Sequence, residues 1–253
     1  MRLDLYLVEK GFFKSRSKAK SEIEASSVLV NNKIITKSSY EVLDTDIITI
    51  NDLSCPYVSR GGLKLEGAIN EFYLDFKDKV VVDIGASTGG FTDCALKHGA
   101  KKVFAVDVGT NQLDESLRND PRVISYEQTN IKDITSFGEK IDYLVMDVSF
   151  VSIKHLLKEI SAHITDDNEL VCLIKPQFEV GKVHMKNGIV KDRTVHINVI
   201  ESIVEELKLY GLGIEKLCVS PILGGSGNKE FLSLIKRNVK TNINIVEVLR
   251  KGE

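Results

Sequence analysis

The sequence predicts an α/β protein, a mostly parallel sheet with helices on both faces, preceded by a small α+β domain. From residue 57 onward, short apolar runs alternate with helical stretches, the order that builds parallel strands joined by crossover helices. One of those runs, Val80 to Ile84, passes straight into a glycine-rich turn that opens a helix. The first 55 residues have a different texture, with two short amphipathic helices and three short strand candidates. The chain has 253 residues, 43% of them hydrophobic, which is enough for one ordinary domain of roughly 100 to 200 residues plus a small one.

In the N-terminal part, Leu3, Tyr6 and Leu7 recur at helical spacing and stop at Gly11. Ser15 is placed to cap a second helix whose buried side holds Ala19 and Ile23. Residues 28–35 read as strand, Asn-rich turn and strand, and residues 46–50 as a third strand. Residues 51–56 are polar and end in Pro56, which sets the predicted division: a small domain over 1–56, a linker over 57–63 and the large domain over 64–253. The formal net charge of −2 hides an asymmetry, because the first forty residues carry eight basic residues against four acidic ones. Lys14, Arg16, Lys18 and Lys20 lie on or just before the second helix, with Arg16 and Lys20 one turn apart. Such a basic face predicts contacts with nucleic-acid phosphates and salt-dependent affinity without base specificity. Arg60, in the linker, is expected to contact RNA or the neighbouring domain.

In the large domain the strands are expected at residues 80–84, 103–107, 143–147, 170–175 and 216–220, with helices over 90–98 and 197–210. No apolar stretch approaches the roughly 20 residues that cross a bilayer, and the N-terminal segment places charges where a signal peptide needs an apolar run. A cytoplasmic protein without a membrane partner is expected. Cys55, Cys94, Cys172 and Cys218 form no Cys-x-x-Cys pair, so they read as reduced and mostly buried, with neither a zinc site nor a disulfide framework. No metal is expected.

The turn Asp83-Ile84-Gly85-Ala86-Ser87-Thr88-Gly89-Gly90-Phe91-Thr92 brings backbone close to a ligand and offers it free N–H groups at a helix start. Asp107, ending the next strand, is placed to accept hydrogen bonds from ribose hydroxyls, as in Rossmann-type sheets. The spacing Gly85-x-x-x-Gly89-Gly90 is not that of dinucleotide binders, and no Gly-Lys-Ser/Thr follows to hold phosphates. That favours S-adenosylmethionine, with Asp83 as the partner of its ammonium group. The rest of the expected cofactor set is Gly85, Ser87, Gly89, Gly90, Phe91, Asp107 and Asp147.

Four charged residues, Lys64, Asp147, Lys175 and Glu230, sit near strand ends, where ligands bind in open α/β sheets. Asp147 and Lys175 each follow an apolar run that should be buried, so a charge there costs free energy unless it is paired or functional.

The chain resembles the TlyA family, through Arg2-Leu-Asp-x-Tyr6-Leu7, Ser15-Arg16-Ser17-x-Ala19, Tyr57-Val58-Ser59-Arg60-Gly61-Gly62-Leu63-Lys64-Leu65, the turn above with Asp93, Asp147-Val148-Ser149-Phe150 and Lys175-Pro176-Gln177-Phe178-Glu179. The resemblance covers essentially the whole chain. It implies an S4-like RNA-binding domain joined to an FtsJ/RrmJ-type, Rossmann-like methyltransferase domain, and ribosomal RNA cytidine 2′-O-methylation within an assembled subunit. It also implies a Lys-Asp-Lys-Glu catalytic tetrad at Lys64, Asp147, Lys175 and Glu230, and places Asn130 near the adenine of the cofactor. Longer members modify both ribosomal subunits; this chain is similar to the shorter kind, associated with helix 69 of 23S rRNA. A monomer is expected.

A ribose hydroxyl is a poor nucleophile, so methyl transfer needs alignment and help with the proton. Lys175 is the candidate base, or alternatively a cation that stabilises the developing alkoxide. Asp147 and Glu230 would orient the lysines, and Lys64 would also help hold RNA. Rival readings are a membrane-active hemolysin, the family's older label, a non-catalytic RNA-binding protein, and a small-molecule methyltransferase. The absent spanning segment, the four charges and the basic N-terminus count against each in turn.

Overall fold

The computed structural model describes residues 1–13, 15–24, 27–43, 45–50, 55–224 and 227–252. The chain divides into two compact units, Met1–Pro56 and Tyr57–Glu253.

The first unit contains helices α1 (Leu3–Glu9) and α2 (Arg16–Glu24) and strands β1 (Val28–Val30), β2 (Lys33–Ile34) and β3 (Ile48–Ile50). Ser15 accepts the Lys18 backbone N–H at 3.2 Å and so caps α2. The β1–β2 turn is Asn31-Asn32, both at positive φ (51° and 62°), a conformation that asparagine tolerates and that suits the twist of a two-residue hairpin. β1 is central, antiparallel to both neighbours in the order β2-β1-β3. Leu3, Leu7, Ala19, Ile23, Val28, Val30 and Val42 form the core.

One charge lies inside this core. Asp4 is fully buried and is held by Arg2, which donates to both carboxylate oxygens at 3.0 and 3.1 Å, and by Arg16, whose Nε donates at 2.8 Å. Arg16, expected on the nucleic-acid face, is therefore also a structural clamp joining the two helices.

The second unit begins sooner than a linker over 57–63 would allow. Tyr57 is buried and donates its hydroxyl to Glu66 at 2.8 Å, and the Val58 N–H donates to Asp93 at 2.8 Å. Helix α3 (Gly61–Phe72) starts inside the expected linker, with Gly62 packed so closely on Tyr57 that a Cβ would lie 2.2 Å from its ring. The segment is thus a packed connection to the large domain, and Gly62 serves its close packing.

The large sheet has seven strands in the order β6-β5-β4-β7-β8-β10-β9. These are β4 (Val80–Ile84), β5 (Lys102–Val106), β6 (Val123–Tyr126), β7 (Tyr143–Met146), β8 (Glu169–Ile174), β9 (Leu212–Val219) and β10 (Phe231–Arg237). β4 to β8 are mutually parallel, while β10 runs antiparallel to both β8 and β9. Helices α3 and α4 (Gly90–Lys97) pack together on one face. The other face buries Val80, Val82 and Ile84 against the short helix α6 (Leu157–Ser161), α8 (Arg193–Lys208) and α9 (Ile245–Lys251). Short helices α5 (Glu115–Arg118) and α7 (Pro176–Glu179) complete the elements. β4 lies between β5 and β7, so chain order reverses at β4, and the crevice beyond its carboxyl end is the switch point where α/β sheets bind ligands.

The Arg2 and Arg16 hydrogen bonds hold the Asp4 carboxyl well below the usual carboxylate range. A depressed folded-state pKa contributes stability that is present above the unfolded value and lost as pH falls through the folded one. Asp4→Asn is expected to weaken the first unit by about 3 kcal/mol at neutral pH and to remove part of its sensitivity below pH about 4. Hydrogen exchange of the α1 and α2 amides against pH measures both; unchanged protection would show that the clamp contributes little.

Candidate active site

β4 carries Asp83 to the switch point on the face covered by α4. Its side chain is fully buried; Oδ2 accepts the Thr92 hydroxyl at 2.7 Å, while Oδ1 is buried without a hydrogen-bond partner. Burial, the largest influence, pushes this carboxyl up to about 7. A strand-end carboxylate with an orphaned oxygen suits a ligand that brings a cation, and that is the fit expected of the methionine ammonium of S-adenosylmethionine.

The turn after β4 divides its glycines between ligand space and packing. Gly85 has φ 80°, and a Cβ there would lie 2.9 Å from Val148. Gly89 has φ 93° and its missing side chain makes room for Leu113 and Leu117. Gly90 faces α3, where a Cβ would meet the Ser59 hydroxyl at 2.3 Å and the Gly62 nitrogen at 2.9 Å. Phe91 is buried, so only its backbone is available to a ligand. Asp107 Oδ2 accepts the Ser87 N–H and Oδ1 the Gly109 N–H, both at 2.7 Å. Each oxygen keeps lone-pair capacity for a diol. Ser87, Asp107, Gln112, Leu113 and Glu127 line a small recess there. Glu127, whose buried Oε1 accepts no hydrogen bond and lies 3.7 Å from Arg118, escaped sequence reasoning; its signal was an acidic residue just after the β6 run. Asn130 uses its side chain locally, accepting the Lys132 N–H at 3.2 Å.

Beyond β7 and β8 the four charges meet. Lys64, from the first turns of α3, donates to Glu230 Oε2 at 2.8 Å and lies 3.6 Å from Asp147 Oδ2. Lys175 lies 2.5 Å from Asp147 Oδ1 and donates to the Ser149 hydroxyl at 2.7 Å. The order Glu230, Lys64, Asp147, Lys175 alternates in sign, so each buried charge has an opposite neighbour. Gln177 donates to the other Glu230 oxygen at 2.9 Å, and Gly224 packs where a Cβ would be 2.3 Å from that same oxygen. Ser149 and Gln177 were not singled out from sequence, because a neutral polar residue beside a charge gives no pattern.

Next to Lys175 stands an aromatic platform. Phe150 is 91% exposed, adopts φ 66° and packs 5.2 Å from the Phe178 ring. Lys175 Nζ sits 5.8 Å from the Phe178 ring centre.

Of the residues expected to contact RNA, Lys14 lies outside the described residues. Lys18 pairs with Glu22 at 2.9 Å, Lys20 is half-buried, and Arg16 is the Asp4 clamp described above. Arg60 donates to the Leu223 carbonyl at 2.9 Å, which ties it to the segment leading to Glu230.

Comparison with known proteins fits this geometry. A family model for FtsJ-like methyltransferases matches residues 57–237, and one for the S4 domain matches residues 1–48. The chain therefore belongs to the FtsJ-like methyltransferases, here with an S4 domain at the N-terminus. Within that class it belongs to the TlyA family. It is 38% identical over 237 residues to the 16S/23S rRNA (cytidine-2′-O)-methyltransferase TlyA of Mycobacterium tuberculosis, covering 91% of this chain and 87% of that one. It is 35% identical over 262 residues to the 23S rRNA (cytidine-2′-O)-methyltransferase TlyA of Campylobacter jejuni, covering 94% and 100%. A solved structure from Streptococcus thermophilus, which carries the hemolysin name, superposes with a TM-score of 0.78 at 40% identity, covering 99% of this chain and 94% of that one.

Asp83→Asn keeps the shape and removes the charge. It is expected to weaken S-adenosylmethionine binding by roughly 10- to 100-fold, the worth of a hydrogen bond to a charged group. A carboxyl with a raised folded-state pKa costs stability as pH rises from its unfolded value to about 7, so the cofactor-free variant should melt higher than wild type at pH 8. Calorimetric titration and thermal unfolding test the two halves; unchanged affinity would remove Asp83 from the cofactor site.

Proposed function

We propose that this protein transfers the methyl group of S-adenosylmethionine to the ribose 2′-hydroxyl of a cytidine in ribosomal RNA, in helix 69 of the 23S rRNA of an assembled large subunit. It works in the cytoplasm as a monomer. The observation that carries this reading is the continuous chain of alternating charges, Glu230 to Lys175, beside the glycine turn at the sheet's switch point. The large subunit is favoured because the names of the mycobacterial and Campylobacter relatives both include 23S rRNA. Helix 69 follows from the family resemblance.

When bound, S-adenosylmethionine supplies an electrophilic methyl on a cationic sulfur. Asp83 would hold the ammonium end and Asp107 the ribose hydroxyls, with the backbone of Gly85, Ser87 and Gly89 close to the ligand and Asn130 near the adenine. Asp147, between two lysines, fixes both. The ion pair of Lys175 with Asp147, at 2.5 Å, sets a cation beside the attacking oxygen, and its work is to stabilise the alkoxide developing there. Lys64, held by Glu230, adds a second positive charge for the RNA backbone. Phe150 offers an exposed face on which the target base stacks. Lys18 and Lys20, with Lys14 and Arg16, give the first unit its attraction for phosphates.

The hemolysin name admits a membrane-active reading. Among the described residues no helix is long and apolar enough to cross a membrane, and a pore has no use for a buried tetrad.

Lys175→Ala is expected to lower methyl incorporation by roughly 100-fold or more with the fold and RNA affinity retained. Lys175→Arg, which cannot lose its proton, should keep part of the rate if the role is electrostatic. Complete loss in both variants would assign Lys175 as the base, and wild-type rates in both would remove it from the mechanism. Purified large and small subunits offered separately, with the methylated nucleotide mapped, test the substrate. Methylation confined to the small subunit would overturn the large-subunit assignment. Salt-dependent binding should weaken in Lys18→Glu/Lys20→Glu; Arg16 is unsuitable for this test because its loss also removes one of the two partners of buried Asp4.

A further inference from the structure

A second pocket, of about 380 Å³, lies on the far side of the segment that carries Glu230. Ile189, Val190, Leu223 and Leu249 form its apolar lining, and Lys191, Arg193, His196 and Lys229 bring its polar atoms. Lys229 and Glu230 are consecutive in an extended stretch entering β10, so their side chains diverge: Glu230 to Lys64, Lys229 to this pocket.

Among the described residues, Lys229 and His196 are the pocket groups whose polar atoms are poorly matched. Lys229 is half-buried, yet the partner it meets is the neutral Gly252 carbonyl at 3.4 Å. Among the described residues no carboxylate pairs with Lys229 or Lys191. Arg193 opens the sixteen-residue helix α8 and donates to the Val246 carbonyl at 2.8 Å. The carboxylate nearby, Asp192, is engaged as the α8 cap, accepting the Thr194 N–H at 2.8 Å. His196, one turn into α8, is only 4% exposed, and its Nε2 is buried without a hydrogen-bond partner. The ring is held by edge-on contact with Phe231.

A half-buried lysine and an orphaned imidazole nitrogen each cost free energy that an anionic ligand would recover. The positive end of α8 favours the same sign of ligand. The apolar lining and the volume fit something larger than a bare anion, a phosphate bearing a sugar or ring.

We propose that this pocket binds the phosphate of a nucleotide, held by Lys191, Lys229 and His196, with the sugar or base against Leu223 and Leu249. The site is separate from the methyl-transfer centre, and its occupancy does not depend on the reaction assigned to that centre. The nucleotide is either free or part of an RNA chain whose neighbouring residue enters the tetrad.

Titration of the full-length protein, with nitrogen-15 in its histidines, against inorganic phosphate, adenosine 5′-monophosphate and a single-stranded RNA hexanucleotide tests the site. The His196 Nε2 resonance is expected to shift with adenosine monophosphate, and with tighter binding than phosphate gives. Lys191→Ala/Lys229→Ala, two residues outside the core whose loss should leave thermal unfolding unchanged, is expected to weaken that binding at least about tenfold. RNA that displaces the mononucleotide identifies the ligand as part of the substrate chain; RNA that does not identifies a free nucleotide. No shift at His196 with any of the three at millimolar concentration, or a shift indifferent to the two lysines, overturns the proposal.

Discussion

The close crossing of α3 over α4 is the constraint on which the active site depends. Ser59, Gly61 and Gly62 approach Gly90 to distances at which a Cβ on Gly90 would overlap the Ser59 hydroxyl and crowd the Gly62 nitrogen. Gly90 also begins the helix behind the glycine turn, and Lys64 lies one turn further along α3. One backbone contact thus fixes the turn after β4 and the reach of Lys64 to Glu230 and Asp147. If the helices stood a side chain further apart, Lys64 would lose its reach to both carboxylates. The glycines serve approach more than flexibility, since Gly61, Gly62 and Gly90 all have ordinary φ values.

Charge placement then follows from burial. Asp147 and Lys175 lie just past strands that are buried on both faces, and Glu230 is only 2% exposed. None of these charges is tolerable singly at such a depth, but alternation makes the set self-compensating. In the proposed reaction, where charge develops on an oxygen, such fixed charges would be preorganised before substrate arrives.

The parts of this plan visible in the sequence are those that local rules govern. Val80 to Ile84 is apolar at every position but Asp83, the pattern of a strand covered on both faces, and the glycine turn announces a helix start. Ser15 and the Asn31-Asn32 turn were equally readable, each carrying its own local hydrogen-bond or φ requirement. Other features depend on partners distant in sequence and left no local trace. The start of α3 falls in the expected linker because glycine is a poor helix former, and the contact that holds Gly62 there is 28 residues away at Gly90. β10 follows Glu230 as Phe231-Leu232-Ser233-Leu234-Ile235, too short a run to reveal that it would insert antiparallel between β8 and β9. Arg16 reads as a surface cation because nothing near it in sequence shows that Asp4 is fully buried.

In its proposed cofactor role, Asp83 would couple occupancy to the proton balance of the solution. Burial pushes its carboxyl up to about 7. The ammonium end of the ligand would favour the carboxylate, so proton release would accompany binding near neutrality. The heat measured on binding near pH 7 would then include the ionisation heat of whichever buffer accepts that proton. Binding enthalpies taken in phosphate and in Tris would differ even where the dissociation constants agree.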